Sequence, residues 1–443
     1  MLQVRFAGVV NKCAPIVRAF AVPIPAIQWV VISYSLTYAS LMLVFGRIGD
    51  MLGYRRLFLI GTGWSAAAFA LCATAPSFGW LLAARGLQGV GAALVVSCGP
   101  ALATSLYEEE RRPRVLGFYA MVFGVGGALG PVLAGLLVQQ WGWSSVFAFR
   151  VPIALASFAL AWGLPVVARP ARPESFDGAG AGLLVLAIGL LVLALNQLQH
   201  VGEPVPWLLV LGAASVIAGA GFVAREGRAS RPIIDLRFFG DVDFALLTLA
   251  HVLVNLAGFA VMLLMPFYLD RGGGVTIAIA GFMLAASPFG IAAAAPLAGR
   301  LAGRVSPWRL ALIGMAAMAF GLLPIGMVGA RPPLSLLFGA MMLQGIGLGL
   351  FQVAYFDLAT ATIPRQNRGV AGSLVMMTRT LGIVIGATTL MLVFQGLQTS
   401  AAGGGVTQAQ AFLAGFRDAF RYAAAIPALA LVCAFLRGWS RLR

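Results

Sequence analysis

Charge is scarce in this sequence, and negative charge scarcer still. Only 10% of the 443 residues are charged, against 60% hydrophobic, and the mean hydropathy is +0.94. A soluble domain carries about 25% charged and 45–50% apolar residues, so this chain has too little polar surface to coat a globule in water. Lipid must be its solvent, and there an unpaired backbone amide is too costly, so the spanning segments should be helices. Lysine is almost missing: 29 of the 30 basic residues are arginine, the exception being Lys12. The four cysteines, Cys13, Cys72, Cys98 and Cys433, lie singly in apolar runs, which excludes a disulfide framework and thiolate metal ligation. The sequence contains no phosphate-binding loop, catalytic triad or metal-ligand cluster. An enzyme is therefore not expected, nor a cofactor, nor a metal. No cleavable signal is evident. The run from Met1 to about Val17 carries Arg5 and Lys12 and reads as a first span shorn of its usual tail, with a late start.

What the chain has in quantity is apolar runs of about 20 residues, the length of a spanning helix. Fourteen are predicted, beginning with 1–18, 26–46, 57–76, 79–104, 115–138 and 143–166. The next two, 179–198 and 206–224, are followed by six more between 244 and 436. The net charge of +16 does not point to nucleic acid, because its arginines cluster between apolar runs. With both termini cytoplasmic, the inner loops and C-terminus hold 20 basic residues and the outer loops about five. That is the positive-inside asymmetry. A multi-pass protein of a bacterial inner membrane, monomeric, is the expectation.

An internal repeat organises the spans. Gly46-Arg-Ile-Gly-Asp-Met-Leu-Gly-Tyr-Arg-Arg56 aligns with Gly299-Arg-Leu-Ala-Gly-Arg-Val-Ser-Pro-Trp-Arg309. Leu87-Gln-Gly-Val-Gly91 aligns likewise with Leu343-Gln-Gly-Ile-Gly347. The offsets are 253 and 256 residues. Two six-helix bundles, 1–166 and 243–443, with two extra spans in a linker at 167–242, account for both. Repeats of this kind build a central site at their interface in many secondary transporters.

These residues carry a specific resemblance. The loop Gly46, Asp50, Gly53, Arg55, Arg56 resembles a signature of the major facilitator superfamily. Glycine permits its tight turn, while Asp50 is placed to face a neighbouring helix N-terminus and the arginines to pair with acids or helix C-termini. Such a latch would close one face of a transporter. Arg85 with Gln88, Gly89 and Gly91 resembles a second signature, whose arginine is often tied to proton coupling. Gly126, Gly130, Pro131 and Gly135 resemble a third, associated with exchangers, in which small residues permit close helix approach and proline a kink. With Trp29, Tyr34, Trp141, Trp143 and Pro232–Arg237 added, the chain looks like the fourteen-helix drug:proton antiporter branch. The resemblance implies a major facilitator fold, two six-helix bundles plus two linker helices, all α. It also implies proton-coupled efflux of small organic molecules by alternating access, with the lipid bilayer, a small-molecule substrate and protons as partners.

The departures from that family are informative. Phe6 stands where the resemblance leads to an aspartate, Arg150 where an asparagine is common, and Ser144 and Ala134 replace an arginine and a glycine. All 14 acids fall in loops or near predicted span ends, whereas Lys12, Arg85, Arg150 and Arg379 fall at depth. Each such base costs about 2.5–3.5 kcal/mol in the membrane. Two readings stay open. In one, a basic central cavity takes an organic or inorganic anion, with Asn11, Tyr34, His251, Asn255, Gln344 and Tyr355 adding neutral hydrogen bonds. In the other, Arg85 is structural and Lys12 and Arg150 snorkel. His251, the intramembrane histidine, either carries protons or packs as a hydrogen-bonded core residue.

Overall fold

In a computed structural model of the chain, the described residues are 16, 19–108, 111–165, 176–198, 206–229, 232–271, 277–301, 304–329, 333–364, 367–403 and 406–439. The described residues form helices and connecting turns, with no strand among them. In chain order the helices are α1 (Gln28–Leu52), α2 (Tyr54–Ala73), α3 (Phe78–Ser105), α4 (Arg112–Trp141), α5 (Ser145–Ala148), α6 (Arg150–Trp162) and α7 (Gly178–Gln197). They continue with α8 (Pro206–Glu226), α9 (Val242–Arg271), α10 (Ile277–Leu301), α11 (Pro307–Ile325), α12 (Leu334–Thr362), α13 (Arg368–Gly403) and α14 (Gln408–Trp439). Taking α5 and α6 as the single span Ser145–Trp162, 13 segments are long and apolar enough to cross a membrane. The predicted span over 1–18, with Asn11 and Lys12, falls almost wholly outside the described residues.

Local chemistry sets the boundaries. The Ser77 hydroxyl accepts from Trp80 N (3.3 Å) at the start of α3, and Asp177 Oδ1 accepts from Gly180 N (3.1 Å) at the start of α7. Ser306 caps α11 with Pro307 in its first turn, where a missing N–H costs nothing. Gly53 alone separates α1 from α2, at φ +94°, a conformation that a side chain would strain. The predicted span 143–166 is interrupted at Phe149. Pro152 has no N–H to offer the Ala148 carbonyl one turn back, so the hydrogen-bond ladder lapses there. Helix α13 runs from Arg368 to Gly403, 36 residues, about 54 Å at 1.5 Å per residue.

The chain divides into two compact units. Unit one comprises Met1–Leu106, Val132–Arg237 and Ile363–Met377; unit two comprises Tyr107–Pro131, Phe238–Thr362 and Thr378–Arg443. Helices α4 and α13 each change unit part-way. In unit one, α3 packs against α1 and α2, α2 against α6, and α7 against both α1 and α8. In unit two, α12 packs against α10 and α11, and α14 against α9 and α11.

Glycines at repeated positions set these contacts. A Cβ on Gly89 would lie 2.5 Å from the Tyr34 carbonyl of α1, and one on Gly345 2.0 Å from the Ser287 carbonyl of α10. At Gly91 it would meet Ser65 of α2 (2.5 Å), and at Gly347 it would meet Met318 N of α11 (2.4 Å). The sequence repeat is thus a repeat of helix packing, α1–α2–α3 corresponding to α10–α11–α12. The interposed pair joins unit one: Gly189 of α7 lies against Leu36 and Ser40 of α1, and Ser215 of α8 donates to the Ala187 carbonyl of α7 (2.8 Å).

Candidate functional site

Three groups of side chains are built by this packing: a latch and a basic aromatic cluster in unit one, and a neutral polar network in unit two. The latch is at the end of α1. Asp50 Oδ1 accepts from Gly369 N (2.6 Å) and Oδ2 from Val370 N (3.0 Å), both in the first turn of α13. There the backbone donors are otherwise unpaired and the helix dipole favours a negative charge. Tyr54 OH donates to Asp50 Oδ1 (2.6 Å), and Arg47 Nη1 donates to Asn367 Oδ1 (3.2 Å). Gly46 permits the approach: a Cβ there would lie 2.1 Å from Ser373 Oγ and 2.6 Å from the Gly369 carbonyl. Arg55 donates to the Ala161 carbonyl (3.3 Å) and to that of Trp162, the C-terminal end of α6. Arg56 is exposed.

The corresponding loop of unit two makes the same backbone contact with different chemistry. A Cβ on Gly299 would lie 2.6 Å from the Pro113 carbonyl and 3.0 Å from Arg114 Cα, at the start of α4. The counterpart of Asp50 is Gly303, which lies outside the described residues. The glycine run of α4 also differs from expectation. A Cβ on Gly126, Gly130 or Gly135 would meet nothing within 4 Å, whereas Gly117 and Gly124 press on Ala295 and Ala292 of α10. Close approach falls on that earlier pair, seven residues apart on one face. The helix continues through Pro131.

In unit one Arg85 is held on three sides. Its Nε donates to the Val30 carbonyl (2.9 Å), its Nη1 donates to Gln88 Oε1, and its guanidinium lies over the Tyr34 ring (4.6 Å to the centroid). A hydrogen bond to a charged group is worth about 1.5–3 kcal/mol and a guanidinium–aromatic contact about 0.5–2 kcal/mol. Together these offset the insertion cost of about 2.5–3.5 kcal/mol, so Arg85 needs no carboxylate. Arg150, the first residue of α6, is exposed, with its Cζ 5.8 Å from the Phe69 centroid.

In unit two His251 is fully buried. Its Nδ1 is 2.9 Å from Thr378 Oγ1, its ring stacks on Tyr355 (4.3 Å), and its Nε2 is buried without a hydrogen-bond partner. Asn255 Nδ2 donates to the His251 carbonyl (2.7 Å), Gln352 Nε2 donates to Asn255 Oδ1 (3.2 Å), and Tyr355 OH donates to Thr248 Oγ1 (3.0 Å). Gln344 is separate, accepting from Ser287 Oγ (2.6 Å). Arg379 lies over the Phe123 ring at 4.7 Å.

Comparison with known proteins decides what this architecture is. The sequence profile of the Major Facilitator Superfamily matches residues 1–387, and again 247–440. The chain belongs to the Major Facilitator Superfamily. It is similar to the multidrug resistance protein Stp of Mycobacterium tuberculosis, at 32% identity over 386 residues, 87% of this chain and 72% of that one. It is also similar to the tetracenomycin C resistance and export protein of Streptomyces glaucescens, 31% identical over 371 residues, 82% and 68% of the two chains. The human organic anion transporter MFSD10 shares the fold, with a TM-score of 0.64 at 16% identity over 92% of this chain and 83% of that one.

As a member of the Major Facilitator Superfamily the protein is a multi-pass membrane transporter of small substrates, not an enzyme. The structure brings Tyr34, Arg85 and Gln88 together, and His251, Asn255 and Tyr355 together, while Gln344 stands apart. His251, Asn255, Gln344 and Tyr355 are 0–2% exposed, and their side chains bond partners on neighbouring helices: Thr378, Gln352, Ser287 and Thr248. Sequence reasoning passed over Thr248, Ser287, Gln352 and Thr378, since one hydroxyl or amide among apolar residues is no signal until its partner is known. Gln352 was within reach, five residues beyond the repeated Gly347.

Proposed function

We propose that this transporter expels small organic molecules from a bacterial cell, driven by the proton gradient, through alternating access of two repeat-related six-helix bundles. The observation that carries this reading is the Asp50 latch, a carboxylate on the first turn of a helix more than 300 residues away in sequence. A contact of that kind stabilises one state of a two-state element and is released in the other. Efflux is the direction supported by similarity to resistance and export proteins, and the fourteen-helix branch by the interposed pair α7 and α8. The bundles are assigned to 1–166 and 243–443, with 167–242 as linker. The span over 1–18, which lies almost wholly outside the described residues, is assigned as the fourteenth, and Lys12 and Asn11 as candidate substrate contacts. Tyr34, Arg85 and Arg150 are proposed substrate contacts, and His251, Asn255, Tyr355, Gln344 and Arg379 the proposed coupling cluster. The positive-inside count supports an inner-membrane location with both termini cytoplasmic, and the protein is taken as a monomer.

The test is transport by purified protein in liposomes under an imposed pH gradient. Substrate should accumulate on the acidic side, and its flux should dissipate the gradient. Flux indifferent to the gradient would reject proton coupling.

A further inference from the structure

The two arginines at depth in unit one are in opposite circumstances. Arg85 spends its donors on the Val30 carbonyl and Gln88, and its face on Tyr34. The Tyr34 ring also stacks on Tyr38, at 5.4 Å and 11°. Arg150 is exposed inside the span Ser145–Trp162, and its contact among the described residues is one ring, Phe69. Its five N–H donors have no hydrogen bond or ion pair among the described residues. The described acids of the unit are engaged elsewhere. Asp50 binds the first turn of α13, Asp177 binds Arg225 (3.0 Å), Asp235 lies 4.0 Å from Arg237, and Glu226 accepts from Ile234 N. An exposed guanidinium set against an aromatic ring is open to an oxyanion, and nothing described in its own unit supplies one.

The geometry also limits what the counter-charge can be. A guanidinium matches one planar or trigonal oxyanion through two parallel bonds. The surroundings are apolar, with Phe69, Phe149 and the exposed Ile153 of α6 at hand. We propose that Arg150 binds the head of an amphiphilic organic monoanion, a carboxylate or sulfonate on an apolar body, and makes this transporter select anionic over cationic cargo. The inference deepens the efflux reading and rests on it. A strongly hydrated inorganic anion fits poorly beside these apolar groups, because it would give up its water for too few donors. An arginine near a span end can also reach up to a lipid phosphate, and the experiment separates that source from cargo.

The experiment uses the full chain with two probes sharing one body, 1-pyrenesulfonate and the cation 1-pyrenemethyl-trimethylammonium. Gradient-driven flux of each is measured in liposomes of phosphatidylcholine alone and with added phosphatidylglycerol. Binding of each to detergent-solubilised protein is followed by fluorescence. The ratio of anion to cation flux should fall at least tenfold in Arg150→Gln and recover in part in Arg150→Lys, which keeps the charge but not the fork. Sulfonate binding should weaken in the same order. A ratio unchanged in Arg150→Gln overturns the proposal, as does an equal loss for both probes that follows lipid composition. Wild-type protein that carries the cation but neither binds nor carries the sulfonate overturns it while leaving efflux intact. Arg150-dependent binding of the sulfonate without flux of either probe rejects efflux and retains the site.

Discussion

Gln88 and Gln344 hold the same place in the repeat, each followed by a glycine that lets its helix touch a neighbour, yet they do different work. Gln88 Oε1 accepts from Arg85 and so holds a charge inside unit one. Gln344 Oε1 accepts from Ser287 Oγ, and Met341 stands where Arg85 would be. The same divergence runs through the loops. Gly46 and Gly299 both press on the first turn of a partner helix, but a carboxylate accompanies only Gly46, the counterpart of Asp50 being Gly303. Backbone packing is thus common to the two halves of the repeat, and charge has been concentrated in the first. The second bonds neutral polar groups to one another around His251 and Tyr355, and its charge is Arg379, over the Phe123 ring. A duplicated fold retains its glycines because backbone contacts tolerate no Cβ. Its side chains are free to specialise.

The largest effect should come from the latch. Asp50→Ala strips the acceptor from Gly369 N and Val370 N and should lower initial transport rates in liposomes at least tenfold. A rate within a factor of two of wild type would mean that the latch is dispensable. Next come the shared glycines. Gly46→Val forces a side chain into Ser373 and the Gly369 carbonyl, costing about 1–3 kcal/mol. Gly130→Ala, with open space at its Cβ, should stay within about 0.5 kcal/mol of wild type. Thermal unfolding of the two in detergent compares them directly, and equal losses would break the argument from packing.

The glutamines offer a smaller and sharper contrast. Gln88→Leu removes a partner from a half-buried guanidinium and should cost about 1.5–3 kcal/mol. Gln344→Leu breaks a neutral bond but also removes an amide nitrogen that is buried without a partner, so its loss should be about 1 kcal/mol or less. Denaturation of both variants checks the order, which should not invert. The smallest effect lies outside the repeat. Arg225, bonded to Asp177 at 3.0 and 3.1 Å, holds that carboxyl below the usual carboxylate range. A carboxyl with a depressed folded-state pKa contributes stability above its unfolded value of ~3.9 and loses it as pH falls through the folded one. Asp177→Asn should therefore flatten the acid limb of the stability–pH curve and leave the neutral region unchanged in slope.

Much of this protein was written along the chain. Too little charge for water, apolar runs of spanning length and arginines gathered between them sufficed for an all-helical membrane fold, because each depends on composition over about 20 residues and not on any distant partner. The glycine spacing of 46–56 and 88–91 revealed the repeat, and Asp50 was placed to meet a helix N-terminus. Which N-terminus it meets, Gly369 and Val370, was decided by tertiary structure, as were the bond of Arg85 to Val30 and that of His251 to Thr378. So was the open space around Gly126, Gly130 and Gly135 where close packing was expected. In lipid every apolar face is equally at home, so helix-to-helix pairing leaves little trace in composition. It rests on shape and on single hydrogen bonds between residues far apart in sequence, and these exist only once the chain has folded.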